Sequence, residues 1–449
     1  MKRKLTSLNL LEGNILKNLL LLSAPLMLTS FINMAYNMTD TAWLGRLGTD
    51  AVAATGAAHF FIWFSSALMN IARVGTSVYV AQEYGSKKVN RMNNSIKNGA
   101  ILMALILGLY TCFVNIFAEN FMNLYSLENH VKELAVIYLK IFSYGFIISG
   151  MNTLISNIYY ALGNSVYPLF ANVTGLVFNI VLDPIMIFGF GPIPAMGAAG
   201  AAWASILSQF IVLLLFVFSI TRAKNEMYYA FIKGVASLSD MFKKFKKGLP
   251  SGLMSATHAA ISLQLTRYMT TYGTGPVAAF TVGAMLESIT WMTAEGFQGG
   301  ITSFVGQNFG AKLYDRLKEI IRKSMAAILA IGVFGSLVLI IFRYPLFKVF
   351  IPDDPETLEY GAKYLYILGM SQLFSAVEIG AGGVFNGLGQ TKIPAFISMI
   401  FNALRIPMAL ALMPIFSYQG IWMAMTLSSI FKGLFSAIYL RKTYKEIRH

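Results

Sequence analysis

Twelve runs of apolar residues, each about as long as a bilayer is thick, dominate the chain. An α-helix needs about 20 residues to cross a hydrocarbon core of about 30 Å. Hydrophobic residues make up 56% of the sequence and charged residues 12%, whereas soluble domains carry about 25% charged residues. The pattern therefore predicts an all-α polytopic membrane protein with twelve transmembrane helices. The predicted spans cover residues 15–40, 52–80, 95–117, 134–162, 165–190, 197–221, 249–272, 276–306, 322–342, 358–387, 393–415 and 419–440.

The basic residues lie mostly between the apolar runs and on one side of the membrane. If the N-terminus is inside, 25 of the 35 Lys and Arg residues fall in cytoplasmic segments. Because Lys and Arg are enriched in short cytoplasmic loops, we predict a multi-pass protein of the plasma (inner) membrane with both termini cytoplasmic. A nucleic-acid partner would need the charges gathered on one soluble face. The net charge of +15 therefore indicates contact with the lipid bilayer and no nucleic-acid partner.

The chain contains one membrane unit twice. The sequence GTDAVAA at 48–54 returns as GTGPVAA at 273–279, and the same offset of 225 carries Gln82 onto Gln307. Six spans per copy is an even number, so the two copies are predicted to be parallel lobes that face each other across a cleft. We predict an N-lobe over 1–221 (spans 1–6), a cytoplasmic basic linker over 222–248 and a C-lobe over 249–449 (spans 7–12).

The first copy carries two aspartates within or near the ends of its spans. Four polar residues at three- and four-residue steps share one face of the first helix, and they are Asn33, Tyr36, Asn37 and Asp40. In the fifth span Asn179 and Asp183 lie one turn apart, directly before Pro184. Intramembrane carboxylates mark ion or proton paths. Asp40 and Asp183 are therefore candidates for ion coupling and, together with Asn179, for binding Na⁺.

The second copy offers weaker candidates for the same role. They are His258, Glu287, Glu295 and Glu378. Each glutamate has an alternative interpretation as half of a buried pair with Arg267 or Arg405. No Gly-Lys-Ser/Thr motif follows the glycine-rich run 189–200, so this run is not a nucleotide cradle. We expect no cofactor and no catalytic residue, and the energy for transport would come from a gradient of H⁺ or Na⁺.

These features resemble the multidrug and toxic compound extrusion (MATE) exporters along nearly the whole chain. The resemblance rests on the twelve spans, the paired Val-Ala-Ala turns and short motifs, namely AQEYG at 81–85 with GQNFG at 306–310, ALGN at 161–164, NGLGQTK at 386–392 and GAAWAS at 200–205. It implies a V-shaped pair of six-helix lobes, and a transporter rather than an enzyme. The implied activity is rocker-type antiport of organic cations and other amphipathic drugs against H⁺ or Na⁺. We expect it to act as a monomer.

The resemblance also implies where coupling occurs. Asp40 with Asn179 and Asp183 resembles the ion and substrate site of the DinF-like prokaryotic branch, and the site neighbours implied by that branch are Tyr36, Asn157 and Ser205. The NorM-like branch uses acidic residues at two positions that hold His258 and Ser375 in this chain. The resemblance therefore places ion coupling in the first lobe.

Two other functions fit part of the pattern. A lipid-linked oligosaccharide flippase of a related branch would line its cavity with several basic residues, and the candidates here are Arg73, Arg267 and Arg405. An intramembrane aspartyl protease would need both aspartates to reach one water, and the Gly-x-Gly-Asp signature is missing around Asp183. Both are weaker than the antiporter, and the residues leave the choice between H⁺ and Na⁺ open.

Overall fold

The structure, a computed structural model, describes residues 8–125, 127–224, 226–352 and 354–447. The basic residues at positions 2–4 and 448, on which the orientation prediction partly rests, lie outside these ranges. The described residues form sixteen α-helices and no strand longer than an isolated bridge between Phe190 and Ile193. The helices are α1 (Ile15–Leu47), α2 (Thr49–Gly85), α3 (Val89–Met122), α4 (Asn129–Tyr144), α5 (Phe146–Ala161), α6 (Val166–Phe188), α7 (Gly197–Ala223), α8 (Glu226–Lys233), α9 (Leu238–Thr270), α10 (Thr274–Gly310), α11 (Tyr314–Ile341), α12 (Arg343–Lys348), α13 (Pro355–Gly369), α14 (Gln372–Gly387), α15 (Lys392–Phe416) and α16 (Gln419–Glu446).

Most of these helices can cross a membrane, which confirms the all-α polytopic prediction. Among the described residues, nine helices are long and apolar enough to span a bilayer, and two bent pairs bring the number to eleven. The remaining predicted span, 249–272, lies in α9, which is less apolar because it holds His258 and Gln264 beside several serines. The chain is thus a multi-pass membrane protein.

The fourth and tenth predicted spans are broken helices. α4 and α5 meet at an angle of 43° around Gly145, and α13 and α14 meet at 47°. A Cβ added at Gly145 would lie 2.8 Å from Cγ1 of Ile206, so the missing side chain lets the break approach α7. Apolar composition runs unchanged through both breaks, and for that reason the sequence predicted single spans.

The helices form two compact units whose boundaries differ from those expected. Unit 1 contains residues 28–252, and unit 2 contains residues 8–27 with 253 onward. The first part of α1 therefore belongs to unit 2, and the segment 222–248, expected as a separate linker, belongs to unit 1. The side chain of Lys97 on α3 donates to the Gly234 carbonyl at 2.9 Å. This segment is tied to unit 1 by such long-range contacts, which the local sequence does not reveal.

Lys244 is a basic residue of the predicted linker that lies inside the protein. Its side chain is fully buried, with Nζ 2.6 Å from Oδ2 of Asp240 and 5.2 Å from the ring of Tyr79. A buried ammonium needs a direct carboxylate partner, and Asp240, one turn earlier on α9, supplies it. The ion pair is thus internal to α9, and the contact with Tyr79 packs Lys244 against α2 inside unit 1.

Glycines allow α9 and α2 to touch backbone to backbone within unit 1. A Cβ added at Gly248 would collide with the Ile71 carbonyl and would lie 3.0 Å from the Gly75 nitrogen. We expect Gly248→Ala to lower the stability of unit 1 by about 1–3 kcal/mol, because neither backbone can yield without separating the helices. The midpoint of thermal unfolding in detergent measures this loss.

Gly56→Ala is the matched control for that substitution. Gly56 also lies in a unit 1 helix, α2, but nothing lies within 4 Å of an added Cβ. Alanine is favoured over glycine in a helix by up to about 1 kcal/mol, so the midpoint should stay or rise. Equal midpoints for the two variants would contradict the close approach of α9 and α2.

Candidate functional site

Asp40 lies on α1 and receives a hydroxyl group from α7. Ser205 Oγ donates to Asp40 Oδ2 at 3.1 Å. The Tyr36 hydroxyl, one turn earlier on α1, donates to the Ser205 backbone carbonyl at 3.2 Å. Both residues of α1 belong to the part of that helix that lies in unit 1. These bonds hold the carboxyl group of Asp40 against α7.

Asn179 and Asp183 approach the same place from α6. Asn179 Nδ2 donates to Asp183 Oδ1 at 3.1 Å, and both side chains are fully buried. The one-turn spacing aligns the two groups along α6, and Pro184, the next residue, removes a backbone donor from the helix. The carboxyl group of Asp40 interacts electrostatically with the side chains of both Asp183 and Asn179. Three helices thus bring two carboxyl groups, one amide and one hydroxyl together.

Three oxygens of this cluster have no donor. They are Asp40 Oδ1, Asn179 Oδ1 and Asp183 Oδ2, each buried and without a hydrogen-bond partner in the described part of the chain. The groups that act on the two carboxyls are each other, Asn179 and Ser205, with no described Lys or Arg among them. Buried polar atoms are normally satisfied, and an exception calls for an explanation. A proton shared between the carboxyls or a bound cation would satisfy these oxygens.

Other residues expected near the site lie apart from it. Asn33 and Asn37 are exposed, although they share a helix face with Asp40. Asn157 on α5 donates its amide to the Thr153 carbonyl of its own helix at 2.9 Å, and no described contact joins it to either aspartate. A different residue, Tyr138, lies close to the two aspartates.

Tyr138 and Ser208 were not predicted as site residues. Tyr138 on α4 is buried, and it lies within electrostatic range of Asp40, Asp183 and Tyr36. The hydroxyl of Ser208, one turn after Ser205 on α7, donates to the Ala204 carbonyl at 2.8 Å and interacts with the nearby Tyr36. A tyrosine or serine inside an apolar span has no distinctive pattern, although the spacing of Ser205 and Ser208 places both on one face of α7.

The acidic residues of unit 2 have protein partners. Tyr364 donates to Glu287 Oε2 and Gln372 donates to Oε1, each at 3.0 Å. Glu378 is paired with Lys432 at 2.9 Å. The alternative interpretation named Arg267 or Arg405 as the partner of each glutamate, and for Glu378 the described ion pair is with neither. The sequence analysis did not identify Lys432 as a partner of any glutamate.

The other charged and titratable candidates of unit 2 are one buried residue and two exposed residues. Arg405 is buried and donates to Ser428 and Ser429, at 3.1 Å each. The ring of His258 on α9 is exposed but lies within electrostatic range of Arg405. Glu295 on α10 is exposed. In the described part of unit 2, no two carboxyl groups form a cluster like that of Asp40 and Asp183.

Comparisons of the sequence and the structure with known proteins agree with one another over most of the chain. The family model MatE matches residues 25–185 and 250–411. The chain is 25% identical to a probable multidrug resistance protein NorM of Thermotoga maritima, over 94% of this chain and 91% of that protein. It is 24% identical to the probable multidrug resistance protein YpnP of Bacillus subtilis, over 96% of each. Among solved structures, an outward-facing multidrug resistance MATE transporter of the MOP superfamily superposes with a TM-score of 0.88 at 20% identity, over 99% of this chain and 100% of that one.

Proposed function

The chain belongs to the MatE family of multidrug and toxic compound extrusion transporters, and on that premise we propose that it is a secondary active exporter driven by H⁺ or Na⁺. It is a transporter and not an enzyme. We infer organic cations and other amphipathic compounds as its substrates, because its relatives are named multidrug resistance proteins. The DinF-like branch stays a prediction, as do the plasma membrane location, the cytoplasmic termini and the monomeric state.

One observation carries the coupling proposal: three buried oxygens of Asp40, Asn179 and Asp183 have no hydrogen-bond donor among the described residues. Two ionised carboxylates this close repel each other strongly in a medium of low dielectric constant. A proton or Na⁺ at this position removes the repulsion and supplies the missing partner. A cationic drug satisfies the same charge, so binding of the drug and binding of the ion are expected to exclude each other.

Mutual exclusion of this kind is sufficient for antiport. A tenfold gradient of the coupling ion supplies about 1.4 kcal/mol per ion, which corresponds to about one decade of drug concentration in a one-for-one exchange. Entry of one or two ions per drug molecule therefore drives useful export. The two bent spans of unit 1 and unit 2 and the proline in α6 are features of helices that can change shape, as alternating access requires.

Transport in proteoliposomes tests this function. We expect a cationic dye to move against its gradient when a pH gradient or a Na⁺ gradient is imposed in the direction that drives exchange. Imposing each gradient alone distinguishes the two ions: drive by Na⁺ at equal pH on both sides identifies Na⁺, and drive by pH in Na⁺-free buffer identifies H⁺. Dye movement that neither gradient affects would contradict ion-coupled export.

A further inference from the structure

The carboxylate of Glu378 in unit 2 is occupied on both oxygens. Lys432 Nζ on α16 lies 2.9 Å from Glu378 Oε2, and the two side chains are only 9% and 14% exposed. Ser398 Oγ on α15 donates to Glu378 Oε1 at 2.7 Å. The acid thus has one cation and one hydroxyl as partners, all inside helices of one unit.

The charged groups around this pair are nearly balanced. Arg405 and Glu287 are the other charges that act on Lys432, and His258 lies within electrostatic range of both basic residues. Arg405 bonds to two serine hydroxyls, and Glu287 receives two donors. Two acids are therefore matched by two permanent bases, and the only direct ion pair among these four joins Glu378 to Lys432 in the described residues.

An oxygen without a described partner lies one helical turn from Ser398, the serine that donates to Glu378. Asn402 follows Ser398 by one turn on α15, so both side chains lie on one face of that helix. Asn402 Oδ1 is buried and has no hydrogen-bond partner in the described residues. Carboxylate, hydroxyl and amide oxygens are the ligand types that hard cations take. The same three types form the cluster of Asp40, Ser205 and Asn179 in unit 1, and no lysine is among the described groups that act on its carboxyls.

We propose that Lys432 is a tethered cation: its ammonium group fills a monovalent-cation site that Glu378 and Ser398 would otherwise form in unit 2. Because the ammonium is covalently attached to α16, it cannot exchange with ions in the medium. Unit 2 then binds no coupling ion, and coupling is confined to unit 1. The inference rests on the proposed ion-coupled export and explains why one unit would suffice for it.

The prediction is that removing the ammonium exposes a cation site. Asp40→Asn with Asp183→Asn first eliminates the ion site of unit 1, and this double variant should bind no ²²Na⁺ at pH 9, where protons compete weakly. Adding Lys432→Met should restore binding of about one ²²Na⁺ per protein, and the unfolding midpoint of this triple variant should rise in Na⁺ relative to choline. Lys432→Gln, which keeps a hydrogen-bond donor, is the second variant if the methionine variant does not fold.

Two controls identify the ligand. Lys432→Arg keeps a tethered cation and should bind no ²²Na⁺, and adding Glu378→Gln to the triple variant should abolish the restored binding. Absence of ²²Na⁺ binding in folded Lys432→Met and Lys432→Gln variants, or binding that survives Glu378→Gln, would overturn the proposal. A failure of the proposed function can be told apart from a failure of this inference. Export by the unmodified protein that depends on neither gradient would contradict ion coupling, but the gain of a Glu378-dependent cation site could still be measured.

Discussion

Replacing Asp183 with asparagine should abolish ion-coupled drug accumulation while leaving the protein folded. The amide has nearly the shape of the carboxyl group, and its oxygen can still accept from Asn179 Nδ2, which now lies 3.1 Å from Asp183 Oδ1. What disappears is a negative charge that a proton or Na⁺ can neutralise. A tenfold gradient of the coupling ion is worth about 1.4 kcal/mol per ion, or about tenfold accumulation in a one-for-one exchange. We expect that factor to fall to about one.

Dye accumulation in vesicles and drug resistance of an efflux-deficient host measure this loss. Asp50→Asn is the matched control, because it is the same substitution at an exposed position. Asp50 lies in the first turn of α2, and its side chain is 58% exposed. It should transport like the unmodified protein. If the Asp183 variant accumulated dye normally at equal expression, Asp183 would not be a coupling residue.

The sequence predicted the elements that depend on local pattern. Long apolar runs specified most of the spans, and one-turn spacing on α6 placed Asn179 beside Asp183 before any contact was known. Where a feature depends on partners distant in the chain, the prediction was incomplete. Whether residues 8–27 and 222–252 pack with their own repeat or with the other is decided by contacts with other helices. Composition carries no record of those contacts.

The site shows the same division between local and distant information. Helical periodicity could not separate Asp40 from Asn33 and Asn37, because all three share one face, and only the position of α7 decides which residue meets Ser205. Tyr138 reaches the cluster from α4. Tyr138 lies among apolar residues in the sequence, like a tyrosine that only packs in a core. No local pattern therefore predicted that it belongs to the site.

Glu378→Gln should be among the most destabilising single substitutions in unit 2. The change leaves the ammonium of Lys432 buried with no carboxylate at 2.9 Å, while the nearby guanidinium of Arg405 still repels it. Removing one partner of a buried ion pair costs about 3–5 kcal/mol, because the other charge is left uncompensated. We expect a correspondingly large fall in the unfolding midpoint in detergent.

Adding Lys432→Met to that variant should recover most of the lost stability, since removing both charges leaves nothing uncompensated and a methionine of similar length fills the space. Glu319→Gln is the matched control: Glu319 pairs with Lys323 at 2.7 Å on α11, but the side chains are 41% and 37% exposed. Water screens an exposed pair of this kind, so its loss should leave the midpoint unchanged. A double variant no more stable than Glu378→Gln alone would show that the loss comes from packing around position 378 and not from the unpaired ammonium.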